Sequence, residues 1–207
     1  MIFPISPSAY ALLKGLKGVE IGGSAHNPFG LDTINVDFTD SMETVFKKDE
    51  IKLAGRALPV DIVADRSKLP FDKESYDFII SSHVFEHIWD PIGTLIHWMG
   101  IIKRGGYIYM IVPDKRRTFD AARPRTTYAE LKHRHSIPWV DDNPNHDHCN
   151  VWILVDVLEL CNNMHLDVVL ALATDDKVGN GFTVCIQKPR EDDTQSWIEL
   201  QEHFKQL

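Results

Sequence analysis

The sequence predicts an α/β protein with a mostly parallel central sheet, an antiparallel last strand and helices on both faces. Short apolar segments typical of strands alternate along the chain with longer segments that have a helical face. Strands separated by helices favour parallel pairing through crossover connections, whereas the last two strand-like segments follow each other directly. The chain has 207 residues, 43% of them hydrophobic, which is enough for one well-buried core.

Each element has its own signal in the sequence. β-Branched and aromatic runs predict strands over residues 18–21, 33–38, 58–65, 75–82, 107–113, 166–174 and 182–188. Helical faces predict helices over residues 42–55, 90–106, 151–164 and 192–207. Asp90 is the expected N-cap of the second helix, Pro91 lies in its first turn, and Lys103, Arg104 and Gly105 mark its end. Trp197, Leu200 and Phe204 form the apolar face of the last helix.

The domain organisation expected from this order is simple. Residues 1–189 form a single domain with an irregular, lid-like insertion at about 113–150, and residues 190–207 form a C-terminal helix. The insertion is rich in Pro, His and Arg, which is typical of active-site lids and also of inert surface loops.

Composition excludes several classes of function. A formal charge of -8 opposes general binding of nucleic acid, because phosphate recognition needs an excess of Lys and Arg on one face. The three cysteines form no CxxC motif, no signal peptide is recognisable, and no apolar run reaches the length of a membrane span. We therefore expect a cytoplasmic protein, and an oligomer is compatible with the sequence.

The polar residues that end the first strands indicate a binding site. In parallel α/β sheets, ligands bind at the carboxyl ends of the strands. Gly22 and Gly23 follow the first strand and Asp37 ends the second, where an acid typically accepts hydrogen bonds from ribose hydroxyls. The alternative is that Asp37 only caps the next turn. A GxGxxG dinucleotide motif would need glycine at Ser24 and Asn27, so a ligand with a ribose and an adenine but no phosphates fits better. S-adenosylmethionine is such a ligand.

Several segments resemble the class I S-adenosylmethionine-dependent methyltransferases, in particular the type 11 family. The segments are VEIGG, NVD, ADRSKLPF, IISSHVFEHIWDP and IIKRGGYIYMIVP, in the order and spacing of that family over roughly residues 15–114. The resemblance implies a Rossmann-like methyltransferase fold and S-adenosylmethionine as cofactor. It implies cofactor contacts from Glu20, Gly22, Gly23, Ser24, Asp37, Phe38, Asp65, Arg66, Ser82 and His83. In the family, the turn approaches the methionine part, Asp37 would hold the ribose and Asp65 the adenine amino group. Ser24 and His26 stand where the family has further glycines.

Histidines supply the candidates for a general base. Removing the proton of a hydroxyl acceptor suits an imidazole near neutral pH. The candidates are His83, His87, His146 and His148, each with a structural hydrogen bond as the alternative role. The pairs HRH and HDHC also suggest metal ligands, but their spacing is irregular and no HExxH or CxxC motif accompanies them, so we expect no metal.

The insertion suggests the chemistry of the acceptor. Its positive charge predicts an acceptor with phosphate or carboxylate groups, bound by Arg116, Arg123, Arg125, His133 and His135. The alternative is a solvated loop whose arginines pair with acidic residues of the same chain. The tract also resembles methyltransferases that accompany bacterial glycan-assembly enzymes, which implies O-methylation of a sugar or nucleotide-linked sugar.

Two other functions remain open from the sequence. One is an NAD(P)-dependent oxidoreductase or epimerase, which the glycine spacing disfavours. The other is a non-catalytic partner protein that keeps the fold and uses residues 113–150 to bind another protein. The altered glycine turn at Ser24 and His26 is the best support for the latter.

Overall fold

A computed structural model describes residues 2–137 and 148–207 of the chain. The strands in this part are β1 (Lys17–Ile21), β2 (Asp32–Asp37), β3 (Ile62–Val63), β4 (Tyr76–Ser82), β5 (Ile102–Pro113), β6 (Asp167–Leu172) and β7 (Gly181–Gln187). The α-helices are α1 (Pro7–Leu13), α2 (Val45–Ala54), α3 (Pro91–Ile101), α4 (Tyr128–His135), α5 (Leu154–Asn163) and α6 (Thr194–Phe204).

The strands form one sheet in the order β3-β2-β1-β4-β5-β7-β6. All pairs are parallel except those of β7, which runs antiparallel to both β5 and β6. The predicted mostly parallel α/β fold with an antiparallel last strand is therefore confirmed. β1 lies between β2 and β4, so the carboxyl ends of these three strands are neighbours at one edge of the sheet.

Alternate residues of the central strands bury the two faces of the sheet. On β5, Ile108 and Met110 belong to the larger apolar cluster, which includes Leu95 of α3, Leu160 of α5 and Leu200 of α6. Their neighbours point the other way, as the period of two requires, into a smaller cluster with α1. The smaller cluster consists of Ala9, Leu13, Phe29, Phe78, Ile80, Tyr109, Ile111 and Cys185.

The connection between β1 and β2 contains no helix. Parallel strands are usually joined by a helical crossover, but residues 22–31 form only turns and bends before β2 begins. Phe29 of this connection and Leu13 of α1 are both buried against the sheet, with exposed fractions of 2% and 0%. The N-terminal helix and a loop phenylalanine therefore cover the face that a crossover helix would otherwise cover.

Three predicted boundaries were wrong. The second predicted helix ends at Ile101, and β5 begins at once, because Ile102 pairs with Tyr76 of β4 and Gly105 donates to Lys188 O. The third predicted strand is only two residues long. The third predicted helix starts at Leu154, after Val151 and Trp152. In the first case, strand pairing with distant residues outweighs the local helical pattern.

The described part of the insertion is more regular than its composition suggests. It contains 3-10 helices at Lys115–Arg117 and Phe119–Ala122, and then α4. The side chain of Thr127 accepts from Glu130 N–H while the Glu130 carboxylate accepts from Thr127 N–H, which caps the first turn of α4. No helix in the described ranges combines the length and the apolar character needed to cross a membrane.

Candidate functional site

A cavity of about 660 Å³ opens at the carboxyl ends of β1, β2 and β4, a volume typical of small-molecule sites. Gly22, Gly23 and Ser24 line it just after β1, Asp37 and Phe38 line it at the end of β2, and Ser82 and His83 line it at the end of β4. The lining also includes His26, Asn27, Lys47, Arg66, Glu86, His87, Phe119 and His148. Eight of the ten predicted cofactor residues therefore line one cavity: Gly22, Gly23, Ser24, Asp37, Phe38, Arg66, Ser82 and His83.

The glycine turn exposes its backbone to the cavity. Gly22 has a φ of 69°, a left-handed conformation that favours glycine. Gly23 N–H donates to Asn35 Oδ1 at 3.0 Å, and a Cβ on Gly23 would lie only 2.6 Å from that same oxygen. A larger residue at position 23 would have to displace the Asn35 side chain, so glycine is favoured there, and its backbone lines the cavity.

The two residues that depart from the family pattern bind each other. Ser24 Oγ lies 2.6 Å from His26 Nδ1, and Ala25 N–H between them donates to the buried carboxylate of Glu50 at 2.6 Å. Burial lowers the pKa of His26. The Glu50 carboxylate also accepts from Leu58 N–H, so it joins the turn, α2 and the approach to β3. The turn keeps a defined path although it lacks the later glycines.

Asp37 presents its carboxylate to the cavity at the end of β2. Its Oδ1 accepts from Phe38 N–H at 2.8 Å, and its Oδ2 lies 4.0 Å from Lys47 Nζ. Burial raises the pKa of Asp37, and the Phe38 N–H and Lys47 partly oppose this rise. Beside it, the Phe38 ring is 41% exposed, which places an apolar surface next to a hydrogen-bond acceptor.

Two predicted cofactor residues lie outside the lining. Glu20 is 6% exposed, accepts from Thr33 Oγ1 at 3.1 Å, and its carboxyl carbon would lie 3.1 Å from a Cβ placed on Gly23. Burial raises its pKa from 4.5 to about 7. Asp65 is exposed, and its Oδ1 accepts from both the N–H and the hydroxyl of Ser67 at 2.8 Å. Glu20 therefore lies against the glycine turn, whereas Asp65 caps a local turn beyond the end of β3.

A cluster of three histidines surrounds one buried carboxylate on the β4 side of the cavity. Glu86 Oε1 lies 3.7 Å from His87 Nε2, 3.8 Å from His148 Nε2 and 3.9 Å from His83 Nδ1. We call these four residues the histidine cluster. The Glu86 side chain is 1% exposed, and neither of its oxygens has a hydrogen-bond partner among the described residues. Burial raises its pKa from 4.5 to about 8, and burial lowers the pKa of His83.

Backbone conformation aims His83 into the cluster. It is not a glycine, yet it adopts a φ of 56°, and its N–H donates to Ile111 O at 2.9 Å. Strained conformations of this kind concentrate at functional sites. Its Nε2 is buried without a hydrogen-bond partner in the described part of the chain.

Further contacts hold His148 against this segment. His148 Nδ1 lies 2.6 Å from Asp120 Oδ2, and Arg123 binds both Asp120 Oδ1 at 2.6 Å and His148 O at 2.9 Å. Asn150 N–H donates to Glu86 O at 2.9 Å, and its amide donates to Ile88 O at 2.7 Å. The loop that carries His148 is therefore fastened to the backbone that carries Glu86.

The predicted acceptor residues of the insertion do not line the cavity. Arg116 binds Asp114, Arg123 binds Asp120 and Arg125 binds Asp156, at 2.6, 2.6 and 3.1 Å. His133 is exposed, and His135 binds Asp90 at 2.9 Å. The structure thus agrees with the alternative in which these arginines pair with acids of the same chain. The candidate base His146 lies outside the described residues.

The residues present fit an adenosyl cofactor. The cavity offers a bare backbone turn, a ribose-type acceptor at Asp37 and an apolar ring at Phe38. Asn27 Oδ1 is buried in the lining without a partner among residues 2–137 and 148–207, so it is free to bind a ligand donor. Nothing in this arrangement requires a phosphate site.

A family model described as a methyltransferase domain matches residues 16–171, about three quarters of the chain. The chain belongs to the methyltransferase family. It is therefore an enzyme that uses S-adenosylmethionine as its methyl donor. Both the resemblance to the class I enzymes and the predicted cofactor are confirmed. No curated protein sequence matches it significantly.

Solved methyltransferase structures share its fold. A SAM-dependent methyltransferase of Thermotoga maritima is 18% identical, with 87% of this chain and 86% of that chain covered and a TM-score of 0.51. One from Methanosarcina mazei is 14% identical, with 90% and 99% covered and a TM-score of 0.55. One from Aquifex aeolicus is 15% identical, with 87% and 93% covered and a TM-score of 0.50. At these identities the likeness establishes the fold.

The oxidoreductase alternative also lacks support from the site. Such enzymes commonly use a Tyr-x-x-x-Lys pair. The sequence contains this spacing at Tyr10 and Lys14 and at Tyr128 and Lys132, but neither pair lines the cavity.

Several residues of the site are not predicted from the sequence. Lys47 and Glu50 are charged yet only 2% exposed, on a helix whose pattern gives no sign that its polar side is buried. Asp120 and Asn150 act only through contacts with distant residues. Phe119 was detectable in principle, because a large aromatic in a polar segment indicates a binding surface, and its ring is 78% exposed at the rim.

Proposed function

We propose that this methyltransferase transfers a methyl group to a hydroxyl of a small, uncharged acceptor such as a sugar. The observation that carries the proposal is the position of the histidine cluster. It lies after β4, on one side of the glycine turn, while Asp37 lies after β2 on the other side. A cofactor held between these two sides would have the cluster available for the acceptor.

The proposed cofactor contacts follow from the lining. The backbone of Gly22, Gly23 and Ser24 faces the methionine part of the cofactor, and Asp37 accepts from the ribose hydroxyls. Phe38 and Arg66 lie along the adenine, and Ser82 and His83 lie beside the sulfur. Glu20 acts indirectly by supporting the turn, and Asp65 takes no part.

The lining favours a neutral acceptor. The arginines of the insertion predict an anionic acceptor from the sequence, but in the structure they are paired with acids outside the cavity. Phe119 instead places an exposed ring 4.7 Å from the His148 ring, measured between centroids. An aromatic face beside imidazoles suits the C–H face and the hydroxyls of a sugar ring.

The protein contributes to the reaction by aligning the acceptor hydroxyl with the methyl group. When bound, S-adenosylmethionine supplies the methyl group: the acceptor oxygen bonds to the methyl carbon, the carbon–sulfur electron pair stays on sulfur, and the hydroxyl proton leaves to water. Within the histidine cluster, His83 accepts a hydrogen bond from the hydroxyl, which directs an oxygen lone pair towards the methyl group. Phe119 fixes the plane of the acceptor.

The resemblance of the insertion to glycan-associated methyltransferases supports a finer proposal. The acceptor would be a neutral sugar used in bacterial surface-glycan biosynthesis, methylated in the cytoplasm, rather than a nucleotide-linked sugar, whose phosphates are charged. This part of the proposal depends on the sequence pattern of residues 113–150 alone.

An acceptor panel tests the proposal. The protein is incubated with methyl-labelled S-adenosylmethionine and a neutral methyl glycoside, a nucleotide-linked sugar, a uronic acid or a primary amine, and the product is located by NMR. We expect an O-methyl ether on the neutral sugar. Phe119→Ala should raise the KM for the acceptor by about threefold to tenfold without changing cofactor affinity.

Tyr10→Ala removes a partly exposed aromatic from α1, outside the cavity, and serves as the matched control. It should leave both constants unchanged. Transfer to the amine alone, or to the uronic acid alone, would contradict a neutral hydroxyl acceptor.

A further inference from the structure

We propose that Glu86, His87 and His148 bind one divalent transition-metal ion at the acceptor end of the cavity. The existence of this site is argued from the arrangement of the three side chains, whereas its role in catalysis rests on the proposed function. The expectation of no metal came from the irregular HRH and HDHC pairs. The site proposed here uses neither pair as a unit.

The three side chains already converge. One ligand atom from each of Glu86, His87 and His148 lies within 4.8 Å of the other two. The distances from Glu86 Oε1 to His87 Nε2 and to His148 Nε2 are 3.7 and 3.8 Å. Ligand atoms bonded to a tetrahedral ion at about 2.0–2.2 Å lie about 3.3–3.6 Å apart. Side-chain movements of a few tenths of an ångström would bring these two pairs into the required range.

Glu86 supplies an independent reason for a cation. Its carboxyl group is buried, and both oxygens lack hydrogen-bond partners in the described part of the chain. A buried polar group without a partner is costly, and buried carboxylates are normally paired with cations or coordinate metals. The described lysines and arginines make no ion pair with it, so a bound ion would supply the missing partner.

The surroundings of His148 match those of a metal ligand. Metal-binding histidines usually hydrogen-bond through the other ring nitrogen to a carboxylate, which fixes the ring and raises its basicity. His148 does so through Nδ1 to Asp120 at 2.6 Å, leaving Nε2 towards Glu86. Arg123 orients Asp120, and Asn150 fastens the loop to Glu86 and Ile88. By contrast, His133 is exposed and His135 is engaged with Asp90.

The ligand types select the class of metal. Two imidazoles and one carboxylate suit Zn²⁺, Co²⁺, Mn²⁺ or Fe²⁺, whereas Mg²⁺ and Ca²⁺ prefer oxygen ligands alone. Three protein ligands leave coordination positions open, as in catalytic rather than structural metal sites. His83 Nδ1 lies 3.9 Å from Glu86 Oε1, so His83 is a neighbour of the proposed site. An acceptor hydroxyl bound there would lose its proton more readily, since a metal ion lowers the pKa of a bound hydroxyl.

Cobalt titration tests the site without an activity assay. Metal-free protein is titrated with Co²⁺ while visible absorption and heat are recorded, and Zn²⁺ is then added as a competitor. We expect one Co²⁺ per chain with visible bands that Zn²⁺ abolishes. Glu86→Gln and His148→Gln should weaken Co²⁺ binding by at least about a hundredfold, and Asp120→Asn by about tenfold to a hundredfold.

His165→Asn is the matched control. His165 is exposed outside the cavity and has a φ of 56°, which asparagine tolerates. Circular dichroism and binding of demethylated cofactor establish that each variant is folded. If the wild type does not bind one Co²⁺ per chain, or if Glu86→Gln and His165→Asn bind Co²⁺ with equal affinity, the proposed metal site is wrong.

Methylation assays separate this inference from the proposed function. If the wild type binds Co²⁺ at Glu86 but methylates no hydroxyl acceptor, the proposed acceptor is wrong and the metal site stands. If a neutral sugar is methylated at full rate by protein that binds no metal, the metal site is wrong and the acceptor stands.

Discussion

Asp37 and Asp65 occupy similar places in the sequence, each at the end of an apolar run that predicts a strand. Only Asp37 ends its strand in the structure, where it faces the cavity. β3 stops at Val63, because its edge position offers pairing with β2 alone over two residues. Asp65 therefore turns to its own neighbour Ser67, and one chemical pattern leads to two different roles.

Substitution separates these two carboxylates. Asp37→Ala should weaken the binding of demethylated cofactor by about tenfold to a hundredfold, because the ribose hydroxyls lose the charged acceptor of their hydrogen bonds. Asp65→Ala should change affinity by no more than about twofold, as expected for a surface position. Isothermal calorimetry of both variants against the wild type measures the difference. Equal losses in both would contradict the cavity-based assignment.

The arginines of the insertion illustrate how local acids decide the role of a cation. Asp114 accepts from the backbone and the side chain of Arg116 and also contacts Arg117. The hydrogen bonds from Arg116 lower the pKa of Asp114, although burial acts in the opposite direction. Asp120 and Arg123 form the same kind of pair three residues apart. These short spacings were visible in the sequence, and they favour pairing within the chain over binding of an anionic acceptor.

At the scale of elements, α1 covers the face of the sheet that the helix-free connection from β1 to β2 leaves open. Ser6 caps α1 and its hydroxyl donates to Asp176 at 2.6 Å, while Ser8 Oγ lies 2.7 Å from the Tyr109 hydroxyl. These contacts hold α1 against β5 and the segment before β7. Without α1, the smaller apolar cluster would be open to solvent on the face next to the glycine turn.

Truncating the Leu13 side chain tests whether α1 closes this part of the core. Leu13 is fully buried, so Leu13→Ala should lower the free energy of unfolding by about 2–5 kcal/mol through lost burial and a residual cavity. Urea denaturation followed by circular dichroism measures the change. Val155→Ala removes an aliphatic side chain that is 57% exposed on α5, and it should change stability by no more than about 0.5 kcal/mol. A loss as small for Leu13→Ala would show that α1 does not close the core.

At the scale of the whole molecule, stability depends on an acid that is buried in the interior of the sheet. Glu20 lies on β1 between β2 and β4, and its neighbour Thr33 on β2 is its hydrogen-bond donor. Burial raises the pKa of Glu20 from 4.5 to about 7, so the folded protein keeps this proton at pH values where the unfolded chain has released it. Stability therefore includes a contribution that is complete below pH 4.5 and is lost as pH rises to about 7.

Glu20→Gln should remove this dependence. Between pH 4.5 and about 7, the wild type should lose roughly 3 kcal/mol of unfolding free energy relative to the variant, and the difference should then stay constant. Urea unfolding at several pH values across this range measures it, and the comparison cancels the titration of groups shared by both proteins. Parallel pH profiles would show that Glu20 is ionised in the fold.

Much of this architecture could be predicted from the sequence. Apolar runs, the residues that end them and the helix caps are local signals, so the sheet, the glycine turn and Asp37 followed from residues close together in the chain. His83, Glu86 and His87 also share one segment, which made that side of the cavity visible as a candidate. The boundary between α3 and β5 could not be predicted, because distant strand pairing decides it.

Tertiary structure alone decided how the histidines are used. His148 reaches Glu86 because Asn150 bonds to backbone far back in the chain, and Asp120 orients it from another segment. The same long-range packing left Asp65 outside the cavity and tied the arginines to nearby acids. Sequence periodicity indicates which face of an element is apolar, but it does not indicate which loops contact each other. The physical reason is that contacts between distant loops depend on the packing of the whole chain.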